Sequence, residues 1–288
     1  MTRTYDRSAQ DVGNILVLEH VNVRVPDQVM ATRYYVQGLG FTRDPYLMVG
    51  LDNMWINIGR NQMHLPSREP QRVRGTIGLV LPDLGALKAR FAKVAPQLEG
   101  TQFSWQDRGA CVEASCPWGN RFRCHAPAPE FGPTELAMAY VEFDVPAGTT
   151  DGIARFYSGI MAAPASVAKR YGAPAADVRV GRNQHLYFTE AEATVPDWDG
   201  HHIQIYIADF SGPHRKLLER GLISMEANQH EWRFTNIVDP ASDRLLYRLE
   251  HEVRSMKHPL YARPLVNRNP AQSNIGYLAG HDAFRGTF

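Results

Sequence analysis

The sequence predicts an α+β protein of four tandem βαβββ units arranged as two similar halves, and three observations carry that reading. Gly59-Arg60-Asn61-Gln62 recurs as Gly181-Arg182-Asn183-Gln184, an offset of 122 residues, and each copy runs into a histidine, His64 and His185. Val25-Pro26 recurs as Val145-Pro146 at an offset of 120, and the turn at Pro117 has a counterpart at Pro240, an offset of 123. Three landmarks at nearly one spacing imply a duplicated domain. A strand, a helix and three short strands then follow one another twice in each half.

In the first unit Leu18 to Val25 alternates apolar and polar residues, and Pro26-Asp27 stops it. Gln28 to Leu39 carries apolar residues at helical spacing until Gly38 and Gly40 close it. Tyr46 to Leu51, Met54 to Ile58 and Gln62 to Leu65 read as a three-strand meander. The second unit opens at Thr76 to Leu81, has a helix from Leu84 to Leu98, and ends in strands near Thr101, Ala110 and Arg121 to His125. Ala126 to Thr134, with three prolines and Gly132, reads as a linker. The third unit runs from Met138 through a helix near Thr150 to a strand at Gln184 to Thr189. The fourth takes His202 to Ala208, a helix at Pro213 to Gly221, and strands Trp232 to Val238 and Arg244 to Val253. The halves therefore span 14–126 and 134–254. Residues 255–288 form a wrapping tail with Leu260, Tyr261, Leu265 and Val266 as apolar anchors.

Composition narrows the function. Lys+Arg 31 against Asp+Glu 30 leaves a net charge of +1, so no global field recommends nucleic acid or an anionic membrane as partner. A small-molecule ligand remains. Cys111, Cys116 and Cys124 lie in the first half without zinc-knuckle spacing and read as reduced residues of a cytoplasmic protein. The polar N-terminus has no apolar leader, and no stretch reaches the ~18 apolar residues needed to span a bilayer.

The four-unit plan, with Leu18-Glu19-His20-Val21-Asn22-Val23 opening the first unit and Asn61-Gln62-Met63-His64-Leu65 closing it, resembles the vicinal oxygen chelate superfamily of glyoxalases, fosfomycin-resistance proteins and extradiol dioxygenases. The likeness covers roughly Leu16 to Arg254. It implies that units pair into open eight-stranded barrels, giving two barrel domains. It also implies that ligands (His, Glu or Gln) sit on the first and fourth strands of two facing units. In fused members the first unit faces the fourth and the second faces the third.

Six residues before each strand stop stand His20, Thr76, Tyr140 and His202, so only units one and four offer a ligand there. The unit-ending strands offer His64, Arg123, His185 and the Glu250 region. The resemblance therefore implies a centre at His20, His64, His202 and Glu250 for Fe(II), Mn(II), Zn(II), Ni(II) or Co(II). The site of Thr76, Arg123, Tyr140 and His185 looks dead. The family's last-strand carboxylate usually falls six residues after the turn proline, where this chain has Leu246; Glu142 and Glu113 are the substitutes for Glu250. Glu250 and Tyr247 are the expected proton-moving groups, and Trp55, Tyr140 and Tyr206 the expected substrate contacts. His185 and His251 taken singly read as satisfied core or rim residues, His201 points away from His202 by alternation, and Arg60 and Arg182 read as structural.

The function expected is glyoxalase-like isomerase or lyase chemistry on a small oxygenated substrate chelated by the metal. The alternatives are an extradiol-type Fe(II) dioxygenase and a metal-free drug- or metabolite-binding protein. A homodimer is left open.

Overall fold

The computed structural model describes residues 5–44, 52–263 and 265. The first unit holds β1 (Ile15–Asn22), α1 (Gln28–Ala31), β2 (Thr42–Arg43), β3 (Asn53–Ile58) and β4 (Asn61–Pro66). The second holds β5 (Gly75–Val80), α2 (Leu84–Val94), β6 (Ser104–Asp107), β7 (Cys111–Ser115) and β8 (Arg121–His125). The third holds β9 (Ala137–Val145), α3 (Thr150–Gly159), β10 (Ala165–Arg170), β11 (Ala173–Arg179) and β12 (His185–Glu190). The fourth holds β13 (His202–Ile207), α4 (Ser211–Leu218), β14 (Ile223–Asn228), β15 (Glu231–Val238) and β16 (Leu245–Ser255). The strand expected at Tyr46 to Leu51, and most of the tail including Val266, lie outside the described residues.

The Pro-Asp stops are helix starts. Asp27 accepts hydrogen bonds from the amides of Val29 and Met30, and Asp83 accepts one from Ala86, so each caps the helix that follows. The first helix keeps α geometry for only one turn and continues as a wider π turn over Thr32–Gly38, which carries Tyr34 and Tyr35 into the core.

Two eight-stranded sheets result, in the orders β14-β15-β16-β13-β1-β4-β3-β2 and β10-β11-β12-β9-β5-β8-β7-β6. Each sheet draws one unit from each half: units one and four meet along antiparallel β1 and β13, units two and three along antiparallel β5 and β9. One face of each sheet feeds a single apolar cluster common to both sheets and the helices. Val21, Ile203, Ile205 and Val253 enter it from the first sheet, and Val141, Phe143 and Phe188 from the second. Tyr157 of α3 spans the two, its ring 5.4 Å from Phe188 and 5.8 Å from His251. The opposite face of the first sheet is polar, as the two-residue side-chain period requires.

Both central junctions carry a β-bulge. Leu18 opposes Ile205 and His20 opposes Gln204, leaving Glu19 extra; Met138 opposes Leu79 and Tyr140 opposes Gly78, leaving Ala139 extra. A bulge leaves backbone groups out of the ladder, and two buried amides take them up. Asn61 donates to the Leu18 carbonyl (2.9 Å) and accepts from the Met138 amide (3.0 Å). Gln184 accepts from the Leu18 amide (3.2 Å) and donates to the carbonyls of Leu18 (3.0 Å) and Met138 (2.9 Å). This clasp ties β1 of one sheet to β9 of the other.

The repeated motif thus has a structural job, with one correction to its register. Gln184, not Asn183, does the work of Asn61, because the second turn is a residue longer and places Asn183 at φ 58°. Consequently His185 stands where Gln62 stands, and the counterpart of His64 is Tyr187. The motif glycines allow close approach: at Gly59 (φ +62°) a Cβ would lie 2.1 Å from the Leu136 carbonyl oxygen, and at Gly181 (φ +143°) 2.8 Å from that of Leu16.

Replacing Asn61 or Gln184 by alanine strips buried backbone groups of partners and should cost on the order of 1–3 kcal/mol each. Both amides serve the Leu18 carbonyl, so the double variant should lose more than the sum, read by urea denaturation. His251 gives a pH prediction. It is fully buried, donates Nδ1–H to the Leu249 carbonyl (2.8 Å), and accepts the Tyr157 hydroxyl at Nε2 (2.6 Å). Burial pushes its pKa down to about 3. Below about pH 6.5 the unfolded chain therefore takes up a proton that the folded chain refuses until about pH 3, and stability falls through that window by up to ~1.4 kcal/mol per pH unit from this group. His251→Phe should flatten the acid limb of a stability-versus-pH curve.

Candidate metal centre

The polar face of the first sheet gathers residues from four adjacent strands. The register sets His20 beside Gln204 and Gln62, Asn22 beside His202 and His64, His202 beside Glu250, and Gln204 beside Glu252. His20 and His202 come within 5.9 Å, centroid to centroid. Ligand-capable atoms of His20, His202 and Glu252 all lie within 4.8 Å of one another, the one such group of three found among the described residues. His202 Nδ1 is 3.5 Å from Glu250, and its Nε2 is 3.4 Å from Glu252.

Two carboxylates of β16, Glu250 and Glu252, lie near His202 and differ in their surroundings. Glu250 is half-buried and receives Arg233 Nη1 at 2.8 Å. Glu252 is buried between Arg254 (2.5 Å) and Arg233 (2.6 Å). Burial alone would raise its pKa, but Arg254, the adjacent His202, His20 and Arg233 outweigh burial and hold it well below the usual carboxylate range. The carboxylate that faces both imidazoles is thus Glu252, two residues beyond Glu250. Strand pairing, not sequence spacing, reveals it. Arg123 pairs with the residue two beyond Thr76, and Glu252 pairs with the residue two beyond His202, so register rather than distance from the turn proline identifies the position.

His20 is fully buried, and its two ring nitrogens differ. Nδ1 meets Glu19 Oε2 at 2.5 Å, while Nε2 makes no hydrogen bond. His202 is pushed below the ordinary histidine range by burial, so its imidazole is neutral near pH 7. His64 stands at the register position equivalent to Glu252, 5.9 Å from His20 by ring centroid. Both its nitrogens are engaged, Nδ1 by Asn22 (2.9 Å) and Nε2 by Asn53 (2.6 Å), and its ring stacks on Trp55 at 3.8 Å. Burial, then His20 and His202, lower its pKa well below the usual value.

The expected substrate contacts divide. Trp55 lies edge-on to His20 at 4.8 Å, and Tyr206 follows Gln204 along the polar face of β13. Tyr140 belongs to the other sheet, where its hydroxyl meets His125 (3.0 Å) and Arg170 lies 4.9 Å from its ring. Glu142 and Glu113 are there too, paired with Arg170 and Arg123. Tyr247 has the opposite strand parity from Glu250 and Glu252 and packs in the apolar core, 6.0 Å from Phe143 with Arg74 over its ring. It has no access to the His20 face.

In the second sheet the positions of His20, His202 and Glu252 hold Tyr140, Thr76 and Arg123, which gives no set of cation ligands. His185 there bonds to Asp177 (2.6 Å) and stacks on Tyr187. His201 is buried on the far side of β13 from His202, against Phe143.

The chain after β16 closes over the first sheet. Tyr261 packs on Tyr206 at 5.0 Å, and Arg263 forms a buried ion pair with Asp44 (2.6 Å), which also accepts from Gln62 (2.8 Å). Beside it a cleft of about 570 Å³ is lined by Glu19, Tyr206 and Tyr261, with Arg60 and Arg182 exposed at its rim. No helix among the described residues is long and apolar enough to cross a membrane.

No sequence family and no curated protein matches the chain. Solved structures do. Glyoxalase I from Zea mays aligns with a TM-score of 0.60 at 14% identity, covering 84% of this chain and 92% of that one. A putative dioxygenase from Bacillus subtilis aligns with a TM-score of 0.58 at 12% identity, covering 85% and 86%. With four βαβββ units in two eight-stranded sheets and these neighbours across most of its length, the chain has the fold of the vicinal oxygen chelate superfamily.

Proposed function

We propose that the chain is a divalent-metal-dependent enzyme acting on a small oxygenated substrate, with His20, His202 and Glu252 holding the cation and glyoxalase-like isomerase or lyase chemistry as its reaction. The observation that carries this is a buried His20 with a ring nitrogen, Nε2, that makes no hydrogen bond, grouped within 4.8 Å with a second imidazole and a carboxylate held anionic. A buried polar atom left unpaired is costly, and the donor set suits a borderline divalent ion. When bound, such an ion polarises substrate oxygens and stabilises an oxyanion. Around it, Trp55 and Tyr206 would orient the substrate. Glu250, nearer solvent than Glu252 and 3.5 Å from His202, is the carboxylate placed to hold or move a proton. Arg233 pairs with both glutamates, and with Arg254 it holds Glu252 anionic. The three unpaired cysteines, all buried, support a reducing compartment such as the cytoplasm.

One observation favours a second reading. Two histidines and one carboxylate are also the donor set of non-haem Fe(II) oxygenases, so ring-cleaving dioxygenase chemistry is the runner-up. Oxygen uptake by Fe(II)-loaded protein with catechols, absent with Zn(II) or Ni(II), would move the assignment there.

Protein purified without chelators should carry about one divalent cation per chain by elemental analysis. His202→Ala and His20→Ala should each lose it while keeping the wild-type circular dichroism, and the double variant should be no worse than either. His185→Ala, on the opposite sheet, should retain it. Loss in His185→Ala with retention in His20→Ala would overturn the assignment, and ligand binding by wild-type protein that holds no metal would favour a metal-free binder.

A further inference from the structure

The least expected feature of the polar face is Glu19. Neighbours along a regular strand point to opposite faces, so the residue before His20 should face away from it. The bulge removes that restriction: Glu19 has no partner on β13, and its side chain turns alongside His20 to meet Nδ1 at 2.5 Å. The carboxylate is mostly covered, 13% exposed against 1% for the His20 side chain. It lines the cleft together with Tyr206 and Tyr261.

A carboxylate acceptor on Nδ1 fixes the imidazole as the Nδ1–H tautomer. The lone pair is then on Nε2, the buried nitrogen that makes no hydrogen bond, in a ring whose ligand-capable atoms come within 4.8 Å of those of His202 and Glu252. Fixing both tautomer and ring angle before a ligand arrives removes a reorganisation cost, and a carboxylate behind the ring makes the imidazole a stronger donor. The second sheet supplies an internal comparison. It has the same bulge in the same place, but there the extra residue is Ala139 and the next is Tyr140. The carboxylate is present where the imidazole is present and missing where it is missing. The clasp of Asn61 and Gln184 serves both bulges alike, so the bulge itself does not require a glutamate.

From this geometry we infer that Glu19 is a positioning residue for the metal centre, holding His20 as a preformed Nε2 donor through a carboxylate–imidazole couple built on the bulge. The inference rests on the metal assignment made above, but the tautomer it requires exists without a cation.

Two measurements test it. In metal-free wild-type protein, long-range ¹H–¹⁵N spectra of the histidine side chains should show His20 as the Nδ1–H tautomer, and Glu19→Ala should shift it to a tautomeric mixture. Zn(II) and Co(II) titrations should show affinity reduced about a hundredfold in Glu19→Ala and about tenfold in Glu19→Gln, whose carbonyl still accepts the Nδ1 proton without the charge. The Co(II) visible spectrum of Glu19→Ala should change as well, a response that a loss of general stability would not produce. Should Glu19→Ala not fold, the wild-type tautomer and the tenfold loss of affinity in Glu19→Gln carry the test. A wild-type His20 in the Nε2–H form, or a Glu19→Gln variant with unchanged Zn(II) affinity, would overturn the inference while leaving the metal assignment standing. Wild-type protein that binds neither cation but shows the Nδ1–H tautomer would overturn the metal assignment and the positioning role together.

Discussion

Two β-bulges, one in β1 and one in β9, and the buried amides that satisfy them are the constraint on which the rest of the molecule depends. A bulge at the centre of a sheet exposes backbone donors and acceptors where water cannot reach, so it persists only if side chains supply the missing bonds. Asn61 and Gln184 supply them to Leu18 and Met138. Because each amide reaches both strands, the same bonds that make the bulges tolerable also fix one sheet against the other. The antiparallel pairing of β1 with β13, into which the first bulge is built, places unit one beside unit four and so brings His20 near His202.

The polar face is organised around charge that is buried but balanced. Glu231, Arg233, Glu250, Glu252 and Arg254 alternate in sign across β15 and β16, and every member meets an opposite charge at 3.0 Å or less. A buried carboxylate without partners would protonate, and protonated glutamate is a poor ligand. Flanking arginines prevent this at Glu252 while leaving His202 within reach. Neutral imidazoles complete the set, because burial keeps His64 and His202 from charging at neutral pH. Near-neutral total charge in the sequence thus hides a strongly structured local field.

The two sheets show how one backbone supports two chemistries. Where the first has Glu19, His20, His202 and Glu252, the second has Ala139, Tyr140, Thr76 and Arg123. Arg170 lies over Tyr187 at 3.8 Å and pairs with Glu142, so cation–π contacts and ion pairs occupy that face instead of an open set of donors. The scaffold does not need a metal-binding face, since the second sheet keeps its register and its apolar core without one.

By itself the sequence determined the four βαβββ units and the paired histidines in units one and four. Apolar alternation, Pro-Asp stops and the repeat are local signals, and local geometry obeys them: Asp27 and Asp83 cap the helices their positions announce. It also showed that Arg123 cannot ligate a cation, a property of the guanidinium that no fold changes. Tertiary structure decided the rest. Counting from the turn proline pointed to Leu246 and left Glu250 as the nearby carboxylate, but the ladder between β13 and β16 sets Glu252 beside Gln204, and a register of two residues cannot be read from one strand alone. Tyr247 and Tyr140 looked available until strand parity sent one into the core and sheet pairing sent the other to the opposite sheet. Glu19 could not have been found from spacing, since alternation points it away from His20. Only the bulge, an irregularity stabilised by amides more than 40 residues distant in sequence, turns it back.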